Sequence, residues 1–153
     1  MPLEFVKVKK AVTSHVVGRM KASEVMNRRV VKTRPDASLA DAARLMLSLD
    51  IGSLLVMEGD ELKGILTKSD FIRLVTKKAG ARTVKEIMSS PVKTASPDTD
   101  LVEIANVMRV NRIRHIPVVD GGKVLGLVTD FDIACYATSE LGRMLTMLKP
   151  PKL

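Results

Sequence analysis

The alternation of apolar and polar residues along this chain changes its period several times, and the order of the periods predicts the elements. Leu39, Ala42 and Met46 recur at helical spacing and fall on one face of a helix. Two apolar runs follow within 53–67, on either side of a short acidic turn that contains glycine. That arrangement is typical of a β-hairpin. A further helix is expected to begin near Ser69, directly after the hairpin.

The whole pattern occurs twice, at an offset of 62 residues. The segments that return are 64–71 as 126–133, 35–39 as 97–101, and Met26 as Met88. A repeat of this length with helices and strands inside it indicates a duplicated small α/β unit rather than a solenoid. Neither copy is large enough to bury a large core alone, so we expect the copies to pack on each other. A binding cleft between them is then the natural place for function.

Each copy is predicted to have the order strand, helix, strand, strand, helix. Single helical turns are expected at 22–26 and 84–88, and the short extended pieces at 30–33 and 92–94 are each closely followed by proline. The second hairpin is expected within 115–129. The predicted fold class is therefore α/β (α+β), with two β-α-β-β-α repeats packed with pseudo-two-fold symmetry.

Capping residues mark the start of the long helix in each copy. Ser38 or Asp36 can cap the first, and Asp41 is placed to complete a capping box. In the second copy Asp100 is expected to cap the helix, with Glu103 completing the box.

The final helix of each copy has an apolar face, at Phe71–Val75 in the first and Ile133–Ala137 in the second. We expect the chain after Leu141 to be unstructured or lightly attached. The predicted domains are a basic N-terminal segment at 1–19, a first repeat at 20–78, a second repeat at 82–138 and a C-terminal tail at 139–153.

Composition excludes several classes of protein. The chain has 153 residues, of which 46% are hydrophobic and 3% aromatic, so the predicted core is aliphatic and rich in methionine. No apolar stretch approaches the roughly 20 residues needed to span a membrane, and the N-terminus has no signal-peptide pattern. Cys135 is the one cysteine, which excludes an internal disulfide, and we expect it to be a small buried apolar residue. A soluble, cytoplasmic protein is expected.

The net charge of +8 is unevenly distributed. Residues 1–34 hold nine Lys or Arg against two Glu, whereas the remaining residues are close to neutral. The basic excess therefore belongs to the N-terminal part of the chain. It is either a solvated arm or an arm that contacts nucleic acid or another polyanion.

A Thr-x-x-Asp sequence follows the last strand of each copy, as Thr67 with Asp70 and as Thr129 with Asp132. A carboxylate there can accept two hydrogen bonds from the vicinal hydroxyls of a ribose. The threonine hydroxyl and the backbone amides of the helix start suit ribose or phosphate. The alternative is that both aspartates are helix-cap residues. Their identical spacing in the two copies, taken together with the family resemblance of the complete set of sequences, favours the ribose interpretation.

The complete ordered set of sequences resembles the CBS domain (named after cystathionine β-synthase), present here as a tandem pair. In the first copy the resemblance is carried by Val31-Lys32-Thr33 with Pro35, by Ile51-Gly52-Ser53-Leu54-Leu55-Val56, and by Gly64-Ile65-Leu66-Thr67 with Asp70. In the second copy it is carried by Val92-Lys93-Thr94 with Pro97, by residues 112–120, and by Gly126-Leu127-Val128-Thr129 with Asp132. The resemblance covers residues 20 to about 138.

The resemblance implies two clefts between the copies, each built from both copies. It implies that Asp132 and Thr129 share one cleft, the Asp132 cleft, with Thr33, Gly52, Ser53 and Leu54. It implies that Asp70 and Thr67 share the other, the Asp70 cleft, with Thr94, Arg114, His115, Ile116 and Pro117. Arg112, Arg114, His115 and Lys68 are the candidates for binding phosphate, although His115 could equally be a strand histidine bonded to backbone.

The charges beside the two threonines predict that the clefts differ. Lys68 follows Thr67, whereas Asp130 follows Thr129. An additional carboxylate near a phosphate weakens its binding, by roughly 1 kcal/mol or more at a separation of about 4 Å. We therefore expect the phosphate-bearing ligand in the Asp70 cleft.

The family senses ligands rather than catalysing reactions, so the resemblance implies a regulatory module that binds AMP, ADP, ATP or S-adenosylmethionine. It also implies a homodimer, and a change on ligand binding that an unidentified protein partner recognises. The sequence indicates no metal site, catalytic cofactor or membrane contact, and an enzyme is disfavoured because no nucleophile or acid–base pair is visible. The alternatives are a nucleic-acid-binding module, which rests on the basic arm alone, and a purely structural dimerisation module.

Overall fold

A computed structural model describes residues 20–77 and 80–147, with side chains as far as Arg143. The predicted basic segment at 1–19 lies outside the described residues. The elements in chain order are α1 (Ala22–Val25), β1 (Lys32–Thr33), α2 (Leu39–Ser48), β2 (Ser53–Glu58), β3 (Glu61–Thr67), α3 (Lys68–Lys77), a 3₁₀ turn (Val84–Glu86), α4 (Leu101–Asn111), β4 (His115–Asp120), β5 (Lys123–Thr129) and α5 (Asp130–Met147). The α+β fold class is confirmed.

Both predicted hairpins are present, with strand ends within one residue of the expected positions. Strands β2 and β3 pair antiparallel, and β4 and β5 pair in the same way. The tight turns contain Gly59 in the first hairpin and Gly121 with Gly122 in the second, all with φ between 53° and 79°. Positive φ at these positions fits the right-handed twist of the strands and favours glycine.

The short first strand differs between the repeats. In the first repeat, β1 pairs parallel with β2, and the Leu55 N–H donates to the Val31 carbonyl at 3.1 Å. At the matching place in the second repeat stands Pro117, which has no N–H to donate. Pairing there is reduced to a single parallel bridge between Ala95 and Val118. The extended piece predicted at 92–94 is therefore not a strand, and the bridging residue comes one position later.

The segment leading into each repeat crosses over and hydrogen-bonds to the other repeat. The N–H groups of Ala22 and Ser23 donate to carbonyls of Thr99 and Pro97, at 2.9 and 3.0 Å. The N–H groups of Val84 and Lys85 donate to carbonyls of Ala37 and Pro35, at 3.0 and 2.9 Å. These two sets of bonds match each other at the offset of 62 residues. The crossing therefore relates the repeats by the predicted pseudo-two-fold symmetry.

The repeated methionine and the repeated glycine of the sequence pack against each other across this junction. A Cβ on Gly126 would lie 2.7 Å from the Met26 sulfur and 2.9 Å from the Asn27 carbonyl oxygen. A Cβ on Gly64 would collide with the Met88 sulfur and lie 3.2 Å from the Ser89 oxygen. Contacts this close disfavour any side chain at both positions, most strongly at Gly126, where a backbone oxygen lies at 2.9 Å.

Three apolar clusters form the core. One fills the first repeat around Leu54, Val56 and Leu66, and it includes Val84 from the crossing segment. A second fills the other repeat, where Ala22 and Met26 complete it in the same way. The third joins the repeats, and its buried members are Leu55, Met57 and Ile65. Each repeat is therefore closed by a segment that precedes the other, which explains why two small units can share one stable fold.

The two long helices begin differently. Ser38 caps α2 as predicted, since its hydroxyl accepts the Asp41 N–H at 3.1 Å. Asp100 occupies the matching position before α4, but its side chain makes no capping bond. Its carboxylate instead accepts a hydrogen bond from the Lys21 ammonium at 2.7 Å. The prediction of a side-chain cap by Asp100 is wrong, because the crossing segment brings a cation to the carboxylate.

Helices α3 and α5 depart from the predicted apolar faces. Phe71 packs in the core of the first repeat, while Ile72 and Val75 are 66% and 78% exposed. Ile133 and Ala137 pack in the core of the second repeat, so this apolar face is covered within the fold.

Two expectations for the C-terminal part are wrong. Cys135 is exposed rather than buried. Helix α5 continues to Met147, so the chain just after Leu141 is helical rather than unstructured. Within the described residues, no helix is both long and apolar enough to cross a membrane.

Candidate functional site

The Thr-x-x-Asp sequence of the first repeat forms a tight hydrogen-bonded turn where β3 becomes α3. Asp70 is 3% exposed. Its Oδ2 accepts the N–H of Thr67 at 2.7 Å and the hydroxyl of Thr67 at 2.9 Å. Its Oδ1 accepts from the guanidinium of Arg73 at 2.9 Å, one helical turn further on. The carboxylate therefore caps the start of the helix and is already paired with a cation.

The second repeat has the same turn without the cation. Oδ2 of Asp132 accepts the N–H and the hydroxyl of Thr129, at 2.8 and 2.7 Å. The position that matches Arg73 is occupied by Cys135. Among the described residues, Oδ1 of Asp132 has no hydrogen-bond partner, and the side chain is only half-buried. This oxygen is free to accept a hydrogen bond from a ligand.

The Asp70 cleft is a cavity of about 190 Å³ between the repeats. Thr67 lines it from the first repeat, together with Ser69 and Arg73. From the second repeat and its leading segment it is lined by Val92, Lys93, Arg112, Ile113, Arg114 and His115. The structure thus brings together four cationic side chains and the Thr67–Asp70 turn, with each repeat supplying part of the surface.

The Asp132 cleft, of about 140 Å³, lies at the matching place. It brings Thr129 together with Gly52 and Ser53, which the resemblance assigned to it. The other residues that line it are Asn27, Arg29, Val30, Val31, Ile51, Leu55, His115 and Leu127. Arg29 is the one fully charged side chain among these lining residues. This cleft is therefore smaller, more apolar and much less basic than the Asp70 cleft.

His115 borders both clefts. Its Nε2 lies 3.4 Å from where a Cβ on Gly52 would be, so the ring reaches across to the first repeat. Burial lowers the pKa of His115 below its ordinary value, and the neighbouring Arg114 lowers it further, against the opposing effect of Asp130 and Asp132. The imidazole is therefore neutral near pH 7 when the clefts hold no anion.

The chain thus consists of two copies of one small unit. The copies exchange their leading segments and form clefts at their junction. The family model of the CBS domain matches the chain at residues 22–77 and again at 84–138. The chain belongs to the CBS domain family. The two CBS repeats account for most of its described residues.

Similar proteins include further members of the CBS domain family. The CBS domain-containing protein YhcV of Bacillus subtilis is 30% identical over 113 residues, which cover 72% of this chain and 81% of that protein. The structure of a protein with CBS domains from Burkholderia ambifaria is 30% identical with a TM-score of 0.75, over 79% of this chain and 96% of that one. The CBS domain pair of protein MJ0100, in complex with 5′-methylthioadenosine and S-adenosyl-L-methionine, is 25% identical with a TM-score of 0.74, over 79% and 98%.

Several residues that the resemblance assigned to the clefts have side chains that lie elsewhere in the CBS repeats. Leu54 is completely buried in the core of the first repeat, and Ile116 is buried in that of the second. Pro117 is also fully buried. Thr33 pairs with Val56 in the sheet, and Thr94 is exposed beside Lys93, which is the residue that lines the Asp70 cleft. A role for the first three in ligand binding would fall to their backbone groups.

Of the charges from which the sequence predicts unequal clefts, Arg112 and Arg114 line the Asp70 cleft, but Lys68 and Asp130 lie outside the clefts to which they were assigned. Lys68 is exposed and is not among the residues that line the Asp70 cleft; its N–H donates to the Gly52 carbonyl at 3.2 Å. Asp130 does not line the Asp132 cleft and instead pairs with Arg114 at 3.5 Å. It therefore offsets part of the positive charge of the Asp70 cleft.

Sequence reasoning missed Arg73 and Lys93, the two further cations of the Asp70 cleft. A signal for each was present. Arg73 follows Asp70 by three residues, which places both on the same face of a helix. Lys93 adjoins Thr94, a residue already assigned to the cleft. Within the described part of the chain, Lys93 and Arg112 have no ion-pair partner, so their charge is available to a ligand.

Proposed function

We propose that the chain is a regulatory module that binds an adenine-containing ligand, such as AMP, ADP, ATP or S-adenosylmethionine, in the clefts between its CBS repeats. The observation that carries the proposal is the Thr–Asp turn, built with the same bonds in both repeats and facing a cleft lined by both. The complex of MJ0100 with 5′-methylthioadenosine and S-adenosyl-L-methionine supports this ligand class. Ligand binding would shift the packing between the repeats, and a protein partner would read that shift.

The Asp70 cleft is the proposed site for a phosphate-bearing ligand. Lys93 and Arg112 contribute unpaired charge, and Arg114 and Arg73 add donors that suit phosphate. In the Asp132 cleft Arg29 is the one fully charged side chain among the lining residues, and the rest of the lining is largely apolar. We therefore expect that cleft to be empty, to bind weakly, or to prefer an adenosine compound without phosphate.

Titration calorimetry on ligand-stripped protein tests this function. We expect AMP to bind, and at about 100 times its dissociation constant to stabilise the fold by about 2.7 kcal/mol. Asp70→Asn should weaken AMP binding strongly, whereas Asp132→Asn should leave it nearly unchanged. Asparagine keeps the shape of the side chain, and thermal melting checks that each variant is folded.

Two results would contradict the proposal. Wild-type protein that binds none of the adenine-containing ligands at millimolar concentration would remove the function. Loss of AMP binding in Asp132→Asn with retention in Asp70→Asn would show that the clefts are assigned the wrong way round.

We also propose that the module is a homodimer that binds rather than catalyses. Exposed apolar side chains on α2 and α3 support self-association, namely Leu47 at 77%, Ile72 at 66% and Val75 at 78% exposure. Sedimentation is expected to give a dimer at tens of micromolar, and a monomer with and without ligand would contradict it.

Release of ADP or AMP from ATP would instead favour an enzyme. Binding to duplex nucleic acid with a steep salt dependence would favour the nucleic-acid alternative.

A further inference from the structure

The ion pair between Asp70 and Arg73 occupies the carboxylate that a ribose would need. Oδ2 of Asp70 already accepts two hydrogen bonds from Thr67, and Oδ1 accepts one from Arg73. With the carboxylate 3% exposed, a ribose hydroxyl can reach Oδ1 only if the guanidinium moves away. Arg73 therefore competes with a sugar hydroxyl for the Asp70 carboxylate.

Arg73 itself is able to move. Its side chain is 61% exposed, although that of Asp70 is 2% exposed, and it lines the Asp70 cleft. A guanidinium has five N–H donors, and its planar fork matches phosphate. Lys93, Arg112 and Arg114 line the same cleft, so a phosphate held by them would lie within the region that Arg73 can sweep.

We propose that Arg73 makes the Asp70 cleft select phosphate-bearing adenosine ligands, because it releases Asp70 to the ribose only when a phosphate draws the guanidinium away. The inference rests on the proposed function, since it requires that the clefts bind adenosine compounds. An uncharged nucleoside offers the guanidinium no anion and must break the ion pair without compensation. A phosphate replaces the carboxylate as the partner of Arg73, and the ribose hydroxyl replaces Arg73 on Oδ1.

The second repeat supplies the contrast within the same molecule. Cys135 stands where Arg73 would be, and among the described residues no cation lies within ion-pair distance of Asp132. Oδ1 of Asp132 is therefore open to a ribose with no displacement. The Asp132 cleft should show no such requirement for phosphate.

The test compares AMP with adenosine by titration calorimetry on the full chain. In wild type, AMP is expected to bind the Asp70 cleft at least about tenfold more tightly than adenosine, which corresponds to about 1.4 kcal/mol. Arg73→Gln should tighten adenosine binding and so reduce this ratio several-fold, while Lys93, Arg112 and Arg114 preserve part of the preference for AMP. Arg73→Lys, which keeps the charge, should retain part of the ratio. Cys135→Arg should create a preference for AMP in the Asp132 cleft.

Arg143→Gln is the matched control, because Arg143 forms an ion pair of the same i, i+3 geometry with Glu140 at 2.7 Å, away from the clefts. It should leave the ratio unchanged. An unchanged ratio in Arg73→Gln, or equal weakening of AMP and adenosine, would overturn the inference and leave Arg73 a structural partner of Asp70. Wild type that binds neither compound would overturn the proposed function as well, so the two failures are distinguishable.

Discussion

The two clefts lie at matching places in the repeats, but the Asp70 cleft is much more basic than the Asp132 cleft. The backbone after α2 and α4 is alike, since Asp50 and Arg112 are both left-handed with φ of 49° and 53°, although of the two only Arg112 lines a cleft. Three matched pairs give the Asp70 cleft the more basic residue, namely Val31 with Lys93, Gly52 with Arg114 and Cys135 with Arg73. Arg29 of the Asp132 cleft, which matches Pro91, is the exception, and His115 borders both clefts. Exposed positions can thus change the ligand that a cleft favours, while the packing between the repeats stays the same.

Two positions that do not differ lie where the repeats contact each other. Gly64 and Gly126 each face a methionine of the opposite leading segment, and each has a backbone oxygen close behind it. A substitution there would shift the backbone that forms both clefts. The comparison therefore predicts that junction residues control stability and that lining residues control ligand choice.

The largest effect on stability is expected when a methyl group is added to a glycine at the junction between the repeats. Gly126→Ala should destabilise the protein by about 1–3 kcal/mol, since overpacked cores lose about that much. Gly64→Ala should cost less, because its nearest backbone oxygen would lie at 3.2 Å rather than 2.9 Å and the Met88 side chain is flexible. Urea unfolding measures both free energies.

Gly80→Ala is the control, because a Cβ there meets nothing within 4 Å. It should leave the free energy of unfolding nearly unchanged. If Gly126→Ala were as mild as Gly80→Ala, the junction would not be tightly packed, and the proposed division of roles between the two sets of residues would be wrong.

Much of this arrangement could be predicted from the sequence, because its signals are local and repeated. The hairpins and the turn glycines depend on neighbours within a few residues, and the repeat allowed each to be predicted twice. The Ser38 cap is equally local, although its counterpart Asp100 makes no capping bond. The fold class followed in the same way.

What the sequence did not reveal depends on contacts between distant segments. The Lys21 ammonium takes the carboxylate of Asp100 across 79 residues, and His115 borders both clefts because the repeats face each other. Pro117 removes a strand bond that Val92–Thr94 was expected to make. Asp130 pairs with Arg114 rather than repelling a ligand in the Asp132 cleft. Each outcome required knowledge of which groups meet after folding.

The two helix caps offer a smaller and cleaner comparison of the repeats. Ser38→Ala should destabilise the protein by about 1 kcal/mol, as loss of an N-cap bond does. Asp100→Ala removes an ion pair whose side chains are 44% and 46% exposed, and such a pair contributes less than an N-cap bond because water and salt screen it. Thermal melting at low and high salt measures both.

The salt dependence decides this comparison. Asp100→Ala should approach wild type at high salt, whereas Ser38→Ala should not. If Asp100→Ala lost as much stability as Ser38→Ala at every salt concentration, Asp100 would act as a cap in solution, and the two repeats would be alike at this point.

The smallest expected effect comes from His115, which stands where the first repeat has Ser53. Burial, assisted by Arg114, keeps the pKa of His115 below its ordinary value of 6.5 in the folded protein. Below that pH the unfolded chain binds the proton more readily than the folded chain, so stability falls as the pH decreases from about 7 toward about 5. His115→Ser should flatten this part of the curve of unfolding free energy against pH. Parallel curves would contradict the burial of the imidazole.

Saturating AMP should also flatten the wild-type curve, since a phosphate in the Asp70 cleft favours the protonated ring and raises its pKa. A wild-type curve that keeps its slope with AMP bound would show that the phosphate lies away from His115, and would limit the basic contact to Lys93 and the arginines.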